Sequence, residues 1–284
     1  MAGMTASSIP SFPLADGRTI PAIGLGTWPL DDTQVARTVV DAVRIGYRLI
    51  DTAAKYGNES GVGQGIRDCA SGLGIDRSEL FVTTKLDGPY QGAGRAVAGL
   101  DASLGRLGLD QVDLLLVHWP LPSRDLYVET WDTFVSLLAS EKTRSIGVSN
   151  FKPAHLDRLI AETGVTPTVN QIELNPTLAR TATRQYNAAH GILTQSWSPL
   201  GRGEALSDPV ITSIADRLGK TPAQIVLRWH VQLGLSAVPK SATPSRLAEN
   251  LDVFDVELTQ DDLARIAALD QGDAVAQDSD VVGH

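Results

Sequence analysis

Sulfur and aromatic rings are scarce in this chain: its 284 residues hold one cysteine, two methionines, and five each of tryptophan, tyrosine and phenylalanine. The lone thiol, Cys69, excludes an intrachain disulfide and a cysteine-rich metal site, and is expected in helix packing. Positive charge is also short, with 24 Lys and Arg against 33 Asp and Glu, a formal net charge of −9. A nucleic acid or an anionic membrane surface would be repelled on average, so any anionic ligand must be met by a local basic cluster. No apolar run approaches the length of a membrane span, and the opening MAGMTASSIPSF lacks the charged start and apolar stretch of a secretory signal. A soluble cytoplasmic protein is expected. His155, His190 and His230 have no carboxylate or cysteine at ligand spacing, so no metal is assigned. Repeats, low-complexity tracts and any linker or composition shift that would halve the chain are absent as well.

What the chain does have is a march of eight apolar, β-branched-rich runs: IPAIGLGTW (20–28), YRLID (47–51), LFVTTK (80–85), VDLLLVHW (112–119), RSIGVSN (144–150), TVNQIEL (168–174), LTQSWSP (193–199) and LSAVPKS (235–241). Continuous rather than alternating apolarity implies strands covered on both faces, as in a parallel sheet between helices. Amphipathic stretches separate the runs, and KTPAQIVLRWHVQLG offers Thr221 as N-cap and Pro222 at the first helical position. The pattern predicts one α/β domain over residues 1–284, a (β/α)8 barrel, with an open doubly wound sheet as the competing arrangement. FPLADGRTIP (12–21) carries Asp16-Gly17, a hairpin turn signal, and is expected to plug the N-terminal end of the barrel. The acidic, aromatic-free tail at 271–284 is expected to be a loosely held surface segment.

Polar residues interrupt these runs at their C-terminal ends: Asp51, Tyr56 just after, Lys85, His118, Ser149, Asn150, Gln171, Trp197, Lys240 and Ser241. In a barrel those ends converge on one mouth. A phenol has a pKa of about 10 and gives up its proton poorly. Lys85 beside Tyr56 is expected to lower that pKa, with Asp51 keeping the lysine charged. The imidazole of His118 can hold and polarise a carbonyl oxygen while Tyr56 supplies a proton. Trp28 and Trp119 follow strand ends and are expected to form an apolar substrate wall. Lys55 is expected to point away from the site.

None of these groups can supply a reducing equivalent, so a cofactor must. The Rossmann glycine fingerprint is missing: GLGTWP has the wrong spacing, and GVGQGI does not follow a strand. PKSATPSRLAEN (239–250) instead places Lys240, Ser241 and Arg246 at a strand exit and a helix start, suited to a phosphate monoester.

Taken in order, GYRLIDTAAKYGNE, VTTKL, LLLVHWP, IGVSNF, NQIELNP and VPKSATPSRLAEN resemble the aldo-keto reductases over residues 12–270, with microbial diketogluconate and glyoxal reductases the most similar members. The resemblance implies NADPH-dependent carbonyl reduction by a tetrad of Asp51, Tyr56, Lys85 and His118, with Tyr56 as general acid. It further implies that Ser149, Asn150 and Gln171 contact the nicotinamide amide, and that Trp197, at a position more often tyrosine in the family, stacks on the ring. SPLGRG, with Ser198 and Leu200, would cross the pyrophosphate. Lys240, Ser241 and Arg246 would take the adenosine 2′-phosphate, with Glu249 and Asn250 near the adenine. A monomer acting on small aldehydes and dicarbonyls is the expectation. Two alternatives stand beside it: a Schiff-base lyase using Lys85, and an NADPH-binding sensor without turnover.

Overall fold

The computed structural model describes residues 9–283. β1 (Ser11–Pro13) and β2 (Thr19–Pro21) pair antiparallel across a turn containing Asp16-Gly17. Eight parallel strands follow, each bonded to the next: β3 (Leu25–Gly26), β4 (Leu49–Asp51), β5 (Phe81–Leu86), β6 (Val112–Val117), β7 (Thr143–Ser149), β8 (Val169–Glu173), β9 (Leu193–Trp197) and β10 (Ser236–Val238). The last returns to the first, because Ile23 bridges Ala237 in parallel and the N–H groups of Gly24 and Gly26 donate to the carbonyls of Ala237 (2.9 Å) and Pro239 (3.0 Å). The sheet is therefore a barrel and not an open doubly wound sheet.

Helices α1 (Asp32–Ile45), α2 (Glu59–Leu73), α3 (Ala93–Leu107), α4 (Tyr127–Ala139), α5 (Pro153–Thr163), α6 (Thr181–Ala189), α7 (Pro209–Leu218), α8 (Pro222–Gln232), α9 (Pro244–Leu251) and α10 (Gln260–Ala267) accompany the strands, with short 3-10 turns in the loops. Some of their starts are written in the sequence. Asp31 accepts from the N–H of Gln34 at the head of α1, and Thr221 forms a capping box with Gln224 ahead of α8, with Pro222 at the first position.

Successive strand residues face opposite sides of the barrel wall. Outward positions such as Ile50, Val82, Leu115, Val117, Ile146 and Val148 share one buried cluster with Val39, Leu100, Phe134 and Leu156 of the helices. Inward, Leu49, Leu114 and Val169 pack against Leu14 and Ile20 of the hairpin, which thus plugs the N-terminal end. The hairpin is tied down as well: Ser145 Oγ donates to Asp16, and Ser236 Oγ donates to the carbonyl of Pro21 (3.0 Å). One inward position has room only for glycine, since a Cβ on Gly147 would sit 2.7 Å from the Val169 carbonyl oxygen.

The tail departs from the expectation of a loosely held segment. Lys152, just before α5, donates to Asp278 and Asp280, and Asp280 also meets His155 Nε2 at 2.7 Å. The N–H of Lys152 donates to His155 Nδ1, so the ring proton lies on Nε2 and is given to Asp280. Ser279 is buried, and a Cβ on Gly283 would run into Leu121 and Trp119. The acidity of 271–284 suggested solvation; two of its aspartates instead share one cationic partner distant in sequence, Lys152 just before α5.

Candidate active site

Asp51 ends β4, Lys85 lies near the end of β5, and Tyr56 sits on the short turn of 3-10 helix, Ala54–Tyr56, that follows β4. That loop is held by Asn58, whose amide donates to the carbonyls of Thr27 (3.1 Å) and Leu30 (2.8 Å) and accepts from Thr52 Oγ1. Lys85 Nζ donates to Asp51 Oδ2 (2.7 Å), the carbonyl of Thr52 (3.0 Å) and the Tyr56 hydroxyl oxygen (3.2 Å), which engages all three of its protons. Because the lysine donates to the phenol oxygen, the phenol's own proton is left for another acceptor. The His118 ring meets that of Tyr56 edge-on, with centroids 5.9 Å apart.

Burial alone would depress the pKa of Lys85, but Asp51 and the Tyr56 oxygen outweigh it, so the ammonium is held above its ordinary value. The phenol of Tyr56 is raised above its ordinary value of 10.0: desolvation dominates, and Lys85 opposes it. The lysine thus pulls in the direction expected from the sequence, while the sum goes the other way, because the phenol is removed from water on most sides.

Asp51, Tyr56 and His118 floor a cleft of about 320 Å³ lined also by Trp28, Trp119, Ser149, Asn150, Gln171, Trp197, Ser198 and Lys240. The two tryptophans differ: Trp119 is buried, whereas Trp28 projects with 59% of its surface exposed. Lys55 lines the cleft despite the expectation that it would point away. The residues assigned to the amide end are bound to one another. Ser149 Oγ donates to the Gln171 carbonyl (2.9 Å), Asn150 Nδ2 donates to the His118 carbonyl and to Ser149 Oγ (both 3.1 Å), and Trp197 Nε1 donates to Asn150 Oδ1 (2.9 Å). Asn150 and Ser198 both have left-handed backbone, φ 64 and 49, at the exits of β7 and β9.

At the far end, Lys240 and Arg246 are exposed and make no ion pair among the described residues, although the chain carries nine surplus negative charges. Ser241 is buried, and its Oγ accepts from the N–H of Thr243 ahead of α9 (3.2 Å). Two uncommitted cations beside a helix start suit a phosphate, so the residues present fit the cofactor end that the sequence implied. Leu200 is half-buried in the apolar core. Glu249 accepts from Thr221 Oγ1 (2.7 Å), and Asn250 is buried against the Tyr47 phenol, so both also serve the packing of α9.

Three cleft features escaped the sequence. Arg202 and Gln277 line the mouth, and Gln195, buried in β9, bonds Gln171 from behind. Arg202 lay inside a loop already singled out, but nothing in its neighbours gave its direction. Gln195 had a signal: a polar residue two before Trp197, hence on the same face of an apolar strand.

The chain matches the Aldo/keto reductase family over residues 22–271. It is 48% identical over 271 residues to an aldo-keto reductase of Mycolicibacterium smegmatis, covering 95% of this chain and 96% of that one. It is equally 48% identical over 272 residues to the methylglyoxal reductase DkgA of Escherichia coli K12, covering 95% and 97%. Among solved structures, a Gox0644 mutant in complex with NADPH superposes with a TM-score of 0.92 at 43% identity, over 98% of this chain and all of that one.

Proposed function

The chain belongs to the aldo/keto reductase family, and from that premise we propose that this single-domain barrel reduces small aldehydes and dicarbonyls to alcohols with NADPH. The observation that carries the reading is Lys85 Nζ, set 2.7 Å from Asp51 and 3.2 Å from the hydroxyl of Tyr56, two residues that line one cleft with His118. When bound, NADPH supplies the hydride. Tyr56 gives its proton to the carbonyl oxygen, and Lys85 stabilises the phenolate left behind. His118 orients that oxygen by hydrogen bonding, while Trp119 and Trp28 exclude water from one side. Ser149, Asn150 and Gln171 receive the nicotinamide amide and Trp197 its ring. Ser198 and Leu200 lie along the pyrophosphate, Lys240, Ser241 and Arg246 hold the 2′-phosphate, and Glu249 and Asn250 border the adenine.

A Schiff-base lyase is disfavoured, because its nucleophile must be a neutral amine and Lys85 is held charged with every proton engaged. Substrate size follows from space: about 320 Å³ must admit both the reacting ring and the carbonyl compound. The relation to a methylglyoxal reductase points the same way. The test is NADPH consumption with methylglyoxal, phenylglyoxal, a simple aromatic aldehyde and a 3-ketosteroid under one set of conditions. Turnover is expected for the first three, with the steroid poorest in kcat/KM. No NADPH consumption with any carbonyl would overturn the activity, and a steroid value above that of the dicarbonyls would overturn the size limit.

A further inference from the structure

Behind the cleft a row of polar side chains crosses the barrel interior. Gln171, Gln195 and Ser236 are register partners on β8, β9 and β10, so their inward side chains lie side by side, and each is at most 1% exposed. Gln171 Nε2 donates to Asp51 Oδ1 and to Gln195 Oε1, both at 2.7 Å; Gln195 Nε2 donates to Ser236 Oγ at 3.1 Å; and Ser236 Oγ donates to the Pro21 carbonyl at 3.0 Å.

The direction of this row is dictated from both ends. A backbone carbonyl only accepts, so the single hydroxyl proton of Ser236 goes to Pro21 and its oxygen must receive. Gln195 must then turn its NH2 toward Ser236 and its carbonyl oxygen toward Gln171. At the other end the Asp51 carboxylate, already bonded to Lys85, also only accepts. Gln171 therefore spends both amide protons, one on Asp51 and one on Gln195, and its carbonyl oxygen is the group it can offer to the cleft it lines.

We propose that Gln195, backed by Ser236, is a positioning residue that holds the Gln171 amide with its carbonyl oxygen as the acceptor for the cofactor's carboxamide N–H, so that the β2 end of the hairpin helps set the amide subsite. The inference rests on the NADPH reading above. An amide left with one fixed bond instead of two can swing on its long side chain, and the acceptor is then no longer held in place.

The test compares two nucleotides that differ only at this contact: NADP+, whose carboxamide has N–H groups, and the 3-acetylpyridine analogue of NADP+, which has none. Their Kd values are measured by quenching of tryptophan fluorescence in the wild type, Gln195→Met and Ser236→Ala. Gln195→Met is expected to weaken NADP+ by roughly five- to tenfold, the worth of one neutral hydrogen bond, and to leave the acetyl analogue within about twofold. Ser236→Ala, a small change that guards against a folding failure of the first variant, is expected to give a smaller loss with the same selectivity. Equal losses for both nucleotides, or no loss for either, in whichever variant folds, would overturn the inference. Failure of the wild type to bind either nucleotide would overturn the cofactor reading itself, and the inference with it.

Discussion

At the hairpin end of the barrel the inward residues of β4 and β8 are Leu49 and Val169; two positions further along the same strands they are Asp51 and Gln171. A step of two residues advances about 6.6 Å, and over that distance an apolar core gives way to a hydrogen-bonded site. The hairpin end also has the larger hollow, about 920 Å³, with Arg18, Arg48 and Arg144 among its walls. Those arginines are committed, to Asp16, to the carbonyls of Val43 and Tyr47, and to Gln111 and Asp113 respectively. At the mouth, Lys240 and Arg246 have no such partners among the described residues. Volume therefore does not mark the site; cations and protons left available at one end of a self-satisfied network do.

The comparison can be broken most sharply by Tyr56→Phe, which removes the proton that the proposed reaction draws from the mouth. Carbonyl reduction is expected to fall by roughly 10²- to 10⁴-fold, with NADPH Kd changed less than about twofold, as read by steady-state kinetics and fluorescence titration. The pH profile follows with its sign. In the proposed reaction the phenol acts while protonated, and burial raises its pKa above the usual 10.0, so reduction should hold through neutral pH and fall only as pH passes that raised value. The Lys85 ammonium, also raised, contributes stability that is fully present below its unfolded pKa of about 10.4 and is lost as pH climbs through the folded one.

Lys85→Met should cost nearly as much activity and, in addition, leave Asp51 buried without its cation, a loss of about 3 to 5 kcal/mol by denaturant unfolding. The double variant Lys85→Met with Asp51→Asn is expected to recover stability but no activity; recovery of turnover would show the pair to be merely structural. Next in size, Arg246→Ala should weaken NADPH by roughly ten- to a hundredfold, one charge-assisted bond, and leave NADH within about twofold. Equal Kd values for the two nucleotides in the wild type would refute the phosphate assignment.

At the opposite end the effect should be on folding alone. Ile20→Ala removes a fully buried side chain from the plug and is expected to cost about 2 to 5 kcal/mol in urea, with kcat/KM of the folded enzyme changed less than about threefold. The smallest effect belongs to Asp280→Asn. Its bonds to Lys152 and His155 are half-exposed, so stability should shift by less than about 1 kcal/mol. Faster trimming of the tail by carboxypeptidase should be its clearest sign.

The strand march, the hairpin, the capped start of α8 and the convergence of Asp51, Tyr56, Lys85 and His118 were all readable along the chain, because each depends on local periodicity or on the rule that parallel barrel strands end at one mouth. The docked tail, the place of Lys55 on the cleft wall and the net rise in the Tyr56 pKa were not, since a carboxylate's partner, a loop residue's surroundings and a phenol's loss of water are set by neighbours distant in sequence. Gln195 shows the boundary most clearly. Its parity within β9 put it inside the barrel, but only closure of β10 onto β3 brought the Pro21 carbonyl behind Ser236 and so fixed which way the Gln195 amide turns toward Gln171. The sequence by itself determined which residues point inward, because side-chain alternation is a property of the strand; the tertiary structure decided what they do there, because a hydrogen bond's direction is settled by the fixed donors and acceptors at both ends of its chain.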